Sequence, residues 1–202
     1  MKIAVIGASG RAGSRLVAEA VSRRHQVTGI ARDADRIAAR PGLAAVAADA
    51  TDVAALAAAL HGHDAVISAT RFAGNDPRPL VAAVKQAGVK RLLVVGGAGS
   101  LLAGGRKLLE SPDFPAAYKP EATAGAHWLD VLRGENDLDW TFLSPAALFA
   151  PGERTGRFRL GQDELLVGPD GKSSISMEDY AIAMLDEVER PQHSRTRFTV
   201  GY

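Results

Sequence analysis

The chain has 202 residues, enough for one well-packed domain and marginal for two. Hydrophobic residues make up 47% and aromatics 5%, so the core is mostly aliphatic, and a formal charge of +1 gives no broad electrostatic case for nucleic acid or an anionic membrane. Cysteine is absent, which excludes disulfides, thiolate metal sites and a catalytic thiol. With no run near ~18 apolar residues and no signal-peptide pattern at the start, a cytoplasmic protein is expected.

Short apolar runs alternate with amphipathic stretches. Strands are predicted at Lys2–Ile6, Gln26–Ala31, Ala45–Ala48, Ala65–Ala69, Arg91–Val95 and Trp140–Leu143. They are continuous rather than alternating, as in parallel strands covered on both faces. Helices are predicted at Ala12–Arg24, Asp33–Arg40, Val53–Leu60, Pro77–Ala87 and Glu121–Arg133. Asp52 and the Asp76-Pro77 pair are start signals, and Gly88 is a stop signal. Pro145–Lys172 is rich in glycine and proline and predicts a loop with a small hairpin, Arg157–Leu160 against Glu164–Val167. A helix at Met177–Val188 and a strand at Thr196–Val200 close the chain. The alternation implies an α/β domain: a doubly wound parallel sheet with helices on both faces, one domain over 1–202, with 145–175 as a substrate-side loop and small C-terminal lid.

The first strand runs into "GASGRAG", residues 7–13. A dinucleotide site needs a tight strand-to-helix turn, close backbone approach to a pyrophosphate, and free N–H groups at a helix start. Gly7 permits the turn, Gly10 clears room for the diphosphate, and Gly13 lets helix and strand pack. Their setting between a first strand and a helix, with a second strand within about 30 residues, strengthens the signal. That second strand ends at Arg32, where NAD sites usually carry Asp or Glu. A guanidinium there clamps a 2′-phosphate, and Arg11 adds charge nearby, so NADP is favoured over NAD. Asp33 caps the next helix or restores an NAD diol acceptor. Asp49 and Ala50, after the third strand, lie by adenine or form a turn. Ser68, Ala69 and Thr70 follow the fourth strand and face the cofactor.

"VIGASGRAG", "ARD", "DATD", "VISAT" and "LLVVGGAGSL" fall in the order found in atypical short-chain dehydrogenases/reductases. "DFPAAYKPEATAGAHWLDVLR", "LDWTFLSPAALFAPGERTGRFRLG" and "SISMEDYAIAMLDEVE" make the chain resemble their NAD(P)H-binding subgroup, of NmrA-like and biliverdin reductase B/flavin reductase type. The resemblance spans nearly the whole chain. It implies a single Rossmann domain, NADP(H), and hydride transfer to a flavin, quinone or similar acceptor. Position by position it implies that Gly7, Ala8, Ser9, Gly10, Arg11 and Ala12 hold the pyrophosphate and Arg32 the adenosine phosphate. Asp49 and Ala50 would lie by adenine, and Ser68, Ala69 and Thr70 along the cofactor's middle. Gly96, Gly97, Ala98 and Gly99 would run beneath the nicotinamide, and Ser144, Pro145 and Ala146 would approach its carboxamide.

The usual Tyr-x-x-x-Lys pair is missing. Ala122 stands four positions after Tyr118, the lysine is the adjacent Lys119, and Pro120 argues against regular helix through the tripeptide. That departure puts standard carbonyl reduction in doubt. A conjugated acceptor delocalises the arriving charge and needs proximity and a flat slot more than a dedicated acid. Phe72, Leu101, Tyr118, Phe149 and Phe158 are candidate walls. Tyr118, Lys119 and Ser100 are candidate catalytic residues; Lys119 reaches a nicotinamide ribose, an anionic substrate or solvent, and Ser100 is a family serine or a helix cap. Glu121 and Asp130 read as surface charges. No histidine pair has zinc spacing, and the basic "RPQHSRTR" reads as a solvated loop. The competing function is a dinucleotide sensor of the NmrA type without turnover. A sugar-nucleotide epimerase is disfavoured by the missing pair and the lack of a larger second domain. A small-molecule acceptor and a monomer or homodimer are expected.

Overall fold

The computed structural model describes all residues, Met1–Tyr202. Eight strands form one sheet in the order β10-β12-β8-β5-β4-β1-β2-β3. These are β1 (Lys2–Ile6), β2 (Gln26–Ala31), β3 (Leu43–Ala47), β4 (Ala65–Ser68), β5 (Arg91–Val95), β8 (Asp139–Pro145), β10 (Arg159–Gly161) and β12 (Thr196–Gly201). All pairings are parallel except β10 on β12, where Arg159 faces Gly201. Two small ribbons lie outside this sheet. β6 (Leu102–Ala103) pairs antiparallel with β7 (Arg106–Lys107), and β9 (Leu148–Ala150) pairs parallel with β11 (Ser174–Ser176).

The continuous apolar strands divide their side chains by pleat. Ile3, Val5, Ile67, Leu93 and Leu143 point to one core, with helices α1 (Arg11–Ser22) and α5 (Met177–Glu189). Ala4, Ile6, Val66, Leu92 and Phe142 point to the other, with α2 (Val53–Leu60), α3 (Pro77–Gln86) and α4 (Lys119–Arg133). Both faces are therefore covered, which is why the strands need no polar side. The result is a Rossmann-like doubly wound sheet, and the chain order reverses between β1 and β4. Ligands in such sheets lie beyond the C-terminal strand ends at that reversal. No helix is long and apolar enough to cross a membrane.

The helix signals hold at Asp52, which accepts from the Ala55 N–H at 3.0 Å, and at Asp76, which accepts from Arg78 before an N1 proline. Gly88 follows α3 at φ +76°. Three expectations fail. The predicted helix Asp33–Arg40 shrinks to one 3₁₀ turn, Ala34–Arg36: Asp33 caps it, but Ile37 leaves in extended geometry to be buried against the sheet. The Arg157–Leu160 and Glu164–Val167 hairpin does not form. β10 pairs instead with the sheet edge, and Glu164 makes one bridge to Leu102. Pro120 does not exclude the helix either. α4 begins at Lys119 with φ −60° and ψ −41°, so the proline occupies the first turn, where no intrahelical donor is lost.

Candidate functional site

The turn after β1 has the geometry its glycines implied. Gly7 sits at φ +81°, and a Cβ there would stand 2.6 Å from the Ala69 carbonyl oxygen, so any side chain would collide with the loop after β4. A Cβ on Gly13 would collide with the carbonyl of Gly7. Helix α1 starts at Gly10 with no side-chain cap. The N–H groups of Ser9, Arg11, Ala12 and Gly13 donate to no protein group, while those of Gly7 and Ala8 are spent on Ile30. A helix N-terminus with uncapped amides, approached by bare backbone, is built for an anion. These residues fit a diphosphate.

Arg32 is exposed at the tip of β2 and makes no hydrogen bond or ion pair. Asp49 lies within its electrostatic reach. The carboxylate accepts from the Thr51 N–H at 2.9 Å and the Thr51 hydroxyl at 2.8 Å, and these bonds, with the charge of Arg32, hold its pKa below the usual aspartate range. Asp49 is thus a turn residue just beyond β3. Ala50 packs against the α2–α4 core. Asp33 is spent on the N–H of Asp35.

Beside the turn, at the ends of β4, β5 and β8, opens a cavity of about 840 Å³. That lies within the range of roughly 300–1,000 Å³ typical of small-molecule sites. Its floor, on the side of the glycine turn, is Arg11, Ala12, Ala69, Thr70 and Gly96–Gly99. Its far wall is mostly apolar, with Phe72, Leu108, Phe114, Pro115, Tyr118, Pro145, Ala146 and Phe149, and Arg71, Ser111, Asp113 and Glu121 add polar groups to the lining. Ser68 and Ser144 lie just outside it. The Ser68 hydroxyl is 3.1 Å from that of Thr70, and the buried Ser144 hydroxyl has no partner.

The loops exchange roles relative to the sequence reading. Most of the roof comes from 108–118, not from 145–175, which contributes only Pro145, Ala146, Ala147 and Phe149. Segment 151–158 is strapped across α1 and α5. Arg154 pairs with Glu19 at 2.9 Å, Asp179 accepts from the Gly156 N–H at 2.8 Å, and Glu178 accepts from the Gly152 N–H at 2.8 Å. Accordingly Phe158 packs on the α1–α5 core, and Leu101 is fully buried away from the cavity.

Ser100 is neither in the cavity wall nor at a helix start. Its hydroxyl accepts from Arg197 Nη1 at 3.3 Å, in a cluster where Arg197 also pairs with Asp163. Tyr118 lines the cavity but is 67% exposed, and its hydroxyl has no partner; Lys119 is exposed, unpaired and outside the wall. Glu121 is not a free surface charge. Its carboxylate accepts from the N–H groups of Phe72 and Ala73. No local signal in the sequence joins residues so far apart.

A Rossmann sheet with an uncapped phosphate turn at its reversal point and an apolar slot beside it defines an NAD(P)-binding protein of the atypical short-chain dehydrogenase/reductase class. The chain belongs to the NAD(P)H-binding family, whose model matches residues 7–191. It is similar to the uncharacterised protein YwnB of Bacillus subtilis (strain 168), at 43% identity over 99% of this chain and 98% of that one. Among solved structures, a Burkholderia pseudomallei protein provisionally named as exported is 47% identical with a TM-score of 0.91 over the whole of both chains. A Streptococcus pneumoniae protein provisionally named an NADH-flavin reductase is 39% identical with a TM-score of 0.83, covering 100% of this chain and 99% of that one.

Proposed function

We propose that this protein is an NADPH-dependent reductase of flavins, quinones or similar small conjugated acceptors. The observation that carries the reading is the mostly apolar slot joined to the phosphate turn across Gly96–Gly97, a lining that suits a conjugated ring. The provisional name of the pneumococcal relative supports it.

Each half of the site has its own task. The amides of Ser9, Arg11, Ala12 and Gly13 would hold the diphosphate, and Arg32, with no protein partner, would neutralise a 2′-phosphate. Bound NADPH supplies a hydride. The chain contributes orientation and exclusion of water: the small residues Gly96–Ala98 admit a flat ring beneath, and Phe72, Phe114 and Phe149 wall it in. No carboxyl or hydroxyl group of the slot is held by an orienting partner as an acid would be: Tyr118 and the Asp113 carboxylate make no side-chain hydrogen bond, and both Glu121 oxygens accept backbone amides. A delocalised acceptor tolerates that absence, because water can deliver its proton after the hydride has arrived.

Rapid-mixing oxidation of NADPH against FMN, FAD and a panel of quinones tests the proposal. Turnover with at least one acceptor is expected, and inertness toward all of them would overturn it. The lack of a Tyr-x-x-x-Lys pair favours a second reading, a dinucleotide sensor. It predicts that inertness together with tight nucleotide binding and capture of a protein partner.

A further inference from the structure

Helix α4 does more than present Tyr118. One oxygen of the Glu121 carboxylate accepts from the Phe72 N–H at 2.7 Å and the other from the Ala73 N–H at 3.0 Å. Both amides belong to the turn between β4 and α3. Two turns further along α4, the Trp128 indole donates to the Asn75 carbonyl at 2.9 Å. One helix therefore grips both ends of a four-residue stretch.

Phe72 is the side chain held between these grips. Its ring meets Trp128 edge-on at 5.3 Å and lies against Phe142 at 6.0 Å. The helix comes so close at Gly125 that a Cβ there would stand 2.9 Å from the ring. Phe72 is 5% exposed, and that remaining surface helps form the cavity wall near Gly97. Arg71 approaches Glu121 only at 3.7 Å and is 82% exposed, so it adds little to the grip.

We infer that Glu121 is a positioning residue for the acceptor: by fixing the backbone of Phe72 it sets the rigid wall against which the acceptor ring packs. This rests on the reductase reading above. A carboxylate that accepts two amides is a strong clamp, because hydrogen bonds to a charged acceptor are about twice as strong as neutral ones.

Steady-state kinetics with NADPH and the best acceptor of the panel, on Glu121→Ala, Glu121→Gln and Phe72→Ala, tests the inference. Glu121→Ala should raise acceptor KM by about 10-fold while kcat and the dinucleotide Kd stay within about 3-fold. Glu121→Gln keeps one carbonyl acceptor but sets its NH2 against the second N–H, so it should recover only part of the loss, with the pH profile unchanged. Phe72→Ala should reproduce the KM defect, and adding Glu121→Ala to it should cost less than about 2-fold more. Hydrogen exchange at the Phe72 and Ala73 amides should accelerate in Glu121→Ala. An active wild type whose acceptor KM is indifferent to Glu121→Ala overturns this inference alone. So does a Glu121→Gln variant that loses activity and shifts the pH profile, which would make Glu121 an acid. A wild type inert to every acceptor overturns the reductase reading instead. Unchanged amide exchange overturns the clamp in either case.

Discussion

The two long connections at the C-terminal edge of the sheet, 104–118 and 151–172, are opposite in construction. Segment 151–172 is bolted down. Arg154 reaches Glu19, Thr155 and Gly156 reach Asp179, Gly152 reaches Glu178, Glu153 accepts from Ser176, and Asp163 pairs with Arg197. Segment 104–118 is held at its start by the β6–β7 ribbon and two further backbone bonds, Leu108 to Leu101 and Leu109 to Gly99, and then by local turns such as Phe114 to Ser111 and Tyr118 to Pro115, with no side-chain tether to a helix of the α1–α5 layer. Arg106, Lys107, Glu110 and Asp113 make no ion pair. The lightly held segment is the one that roofs the slot. A wall that must accept a planar guest from solvent is better made of a segment that opens at low cost, and binding segments are drawn from the low-stability end of a fold. The phosphate turn below it is the reverse case, with no room for a side chain at Gly7 or Gly13.

The largest effect should come from filling that turn. Gly13→Val drives a side chain into the Gly7 carbonyl, and overpacking of this kind costs about 1–3 kcal/mol. Dinucleotide affinity should fall by more than about 100-fold in titration calorimetry while Ala117→Ser, in the roof, changes it by less than about 3-fold. Comparable losses in the two variants would erase the distinction between turn and roof.

The strap should fail in acid. Burial alone would push the Asp179 carboxyl up, but hydrogen bonds from Thr155, Gly156 and Tyr202 outweigh it and hold the pKa below the ordinary aspartate range. The folded state therefore binds its proton later than the unfolded chain does. This stabilisation is complete above the unfolded value of ~3.9 and is lost as pH falls through the lowered folded value. Asp179→Asn should cost about 2 kcal/mol at pH 7 and flatten the acid limb of a stability-against-pH curve measured by urea unfolding. An acid limb as steep as that of the wild type would remove Asp179 from the strap.

Limited trypsinolysis compares the two segments directly. Both carry exposed basic residues, Arg106 and Lys107 in one, Arg154, Arg157 and Arg159 in the other. Cleavage should begin at 106–107, and NADPH with an acceptor analogue should slow it. First cuts at 154–159 would reverse the assignment of strap and roof.

Tyr118→Phe should have the smallest effect. The hydroxyl has no partner, so turnover should stay within about 3-fold of wild type. A loss of the ~10²–10⁴-fold that general acids contribute would make Tyr118 a proton donor.

What the sequence displays and what it hides divide along the same line. Local geometry is legible. The Gly7-Gly10-Gly13 turn, the caps at Asp52 and Asp76, and the continuous apolar strands each depend on neighbours a few residues away. The failures are long-range. Arg154 meets Glu19 135 positions away, so the glycine-rich 145–172 stretch shows its flexibility on paper but not its tethers. Glu121 meets Phe72 49 positions away, and on a helical wheel it is one more surface acid. Ser100 follows the glycine-rich stretch after β5, where the sequence offers it as a family serine, yet its hydroxyl accepts from Arg197 on β12 and lies outside the slot. The 33–40 segment carries a cap and a helical composition, and burial of Ile37 overrides both.

Titration of the folded protein with NADPH and NADH, repeated on Arg32→Asp, bears most directly on the site as a whole. One dinucleotide should bind per chain, NADPH at least about 10-fold more tightly than NADH, and Arg32→Asp should abolish that preference while leaving NADH binding within about 3-fold. Saturation by neither nucleotide, or a preference for NADPH that survives Arg32→Asp, would contradict the placement of the diphosphate at the first turn and of its third phosphate at the tip of β2.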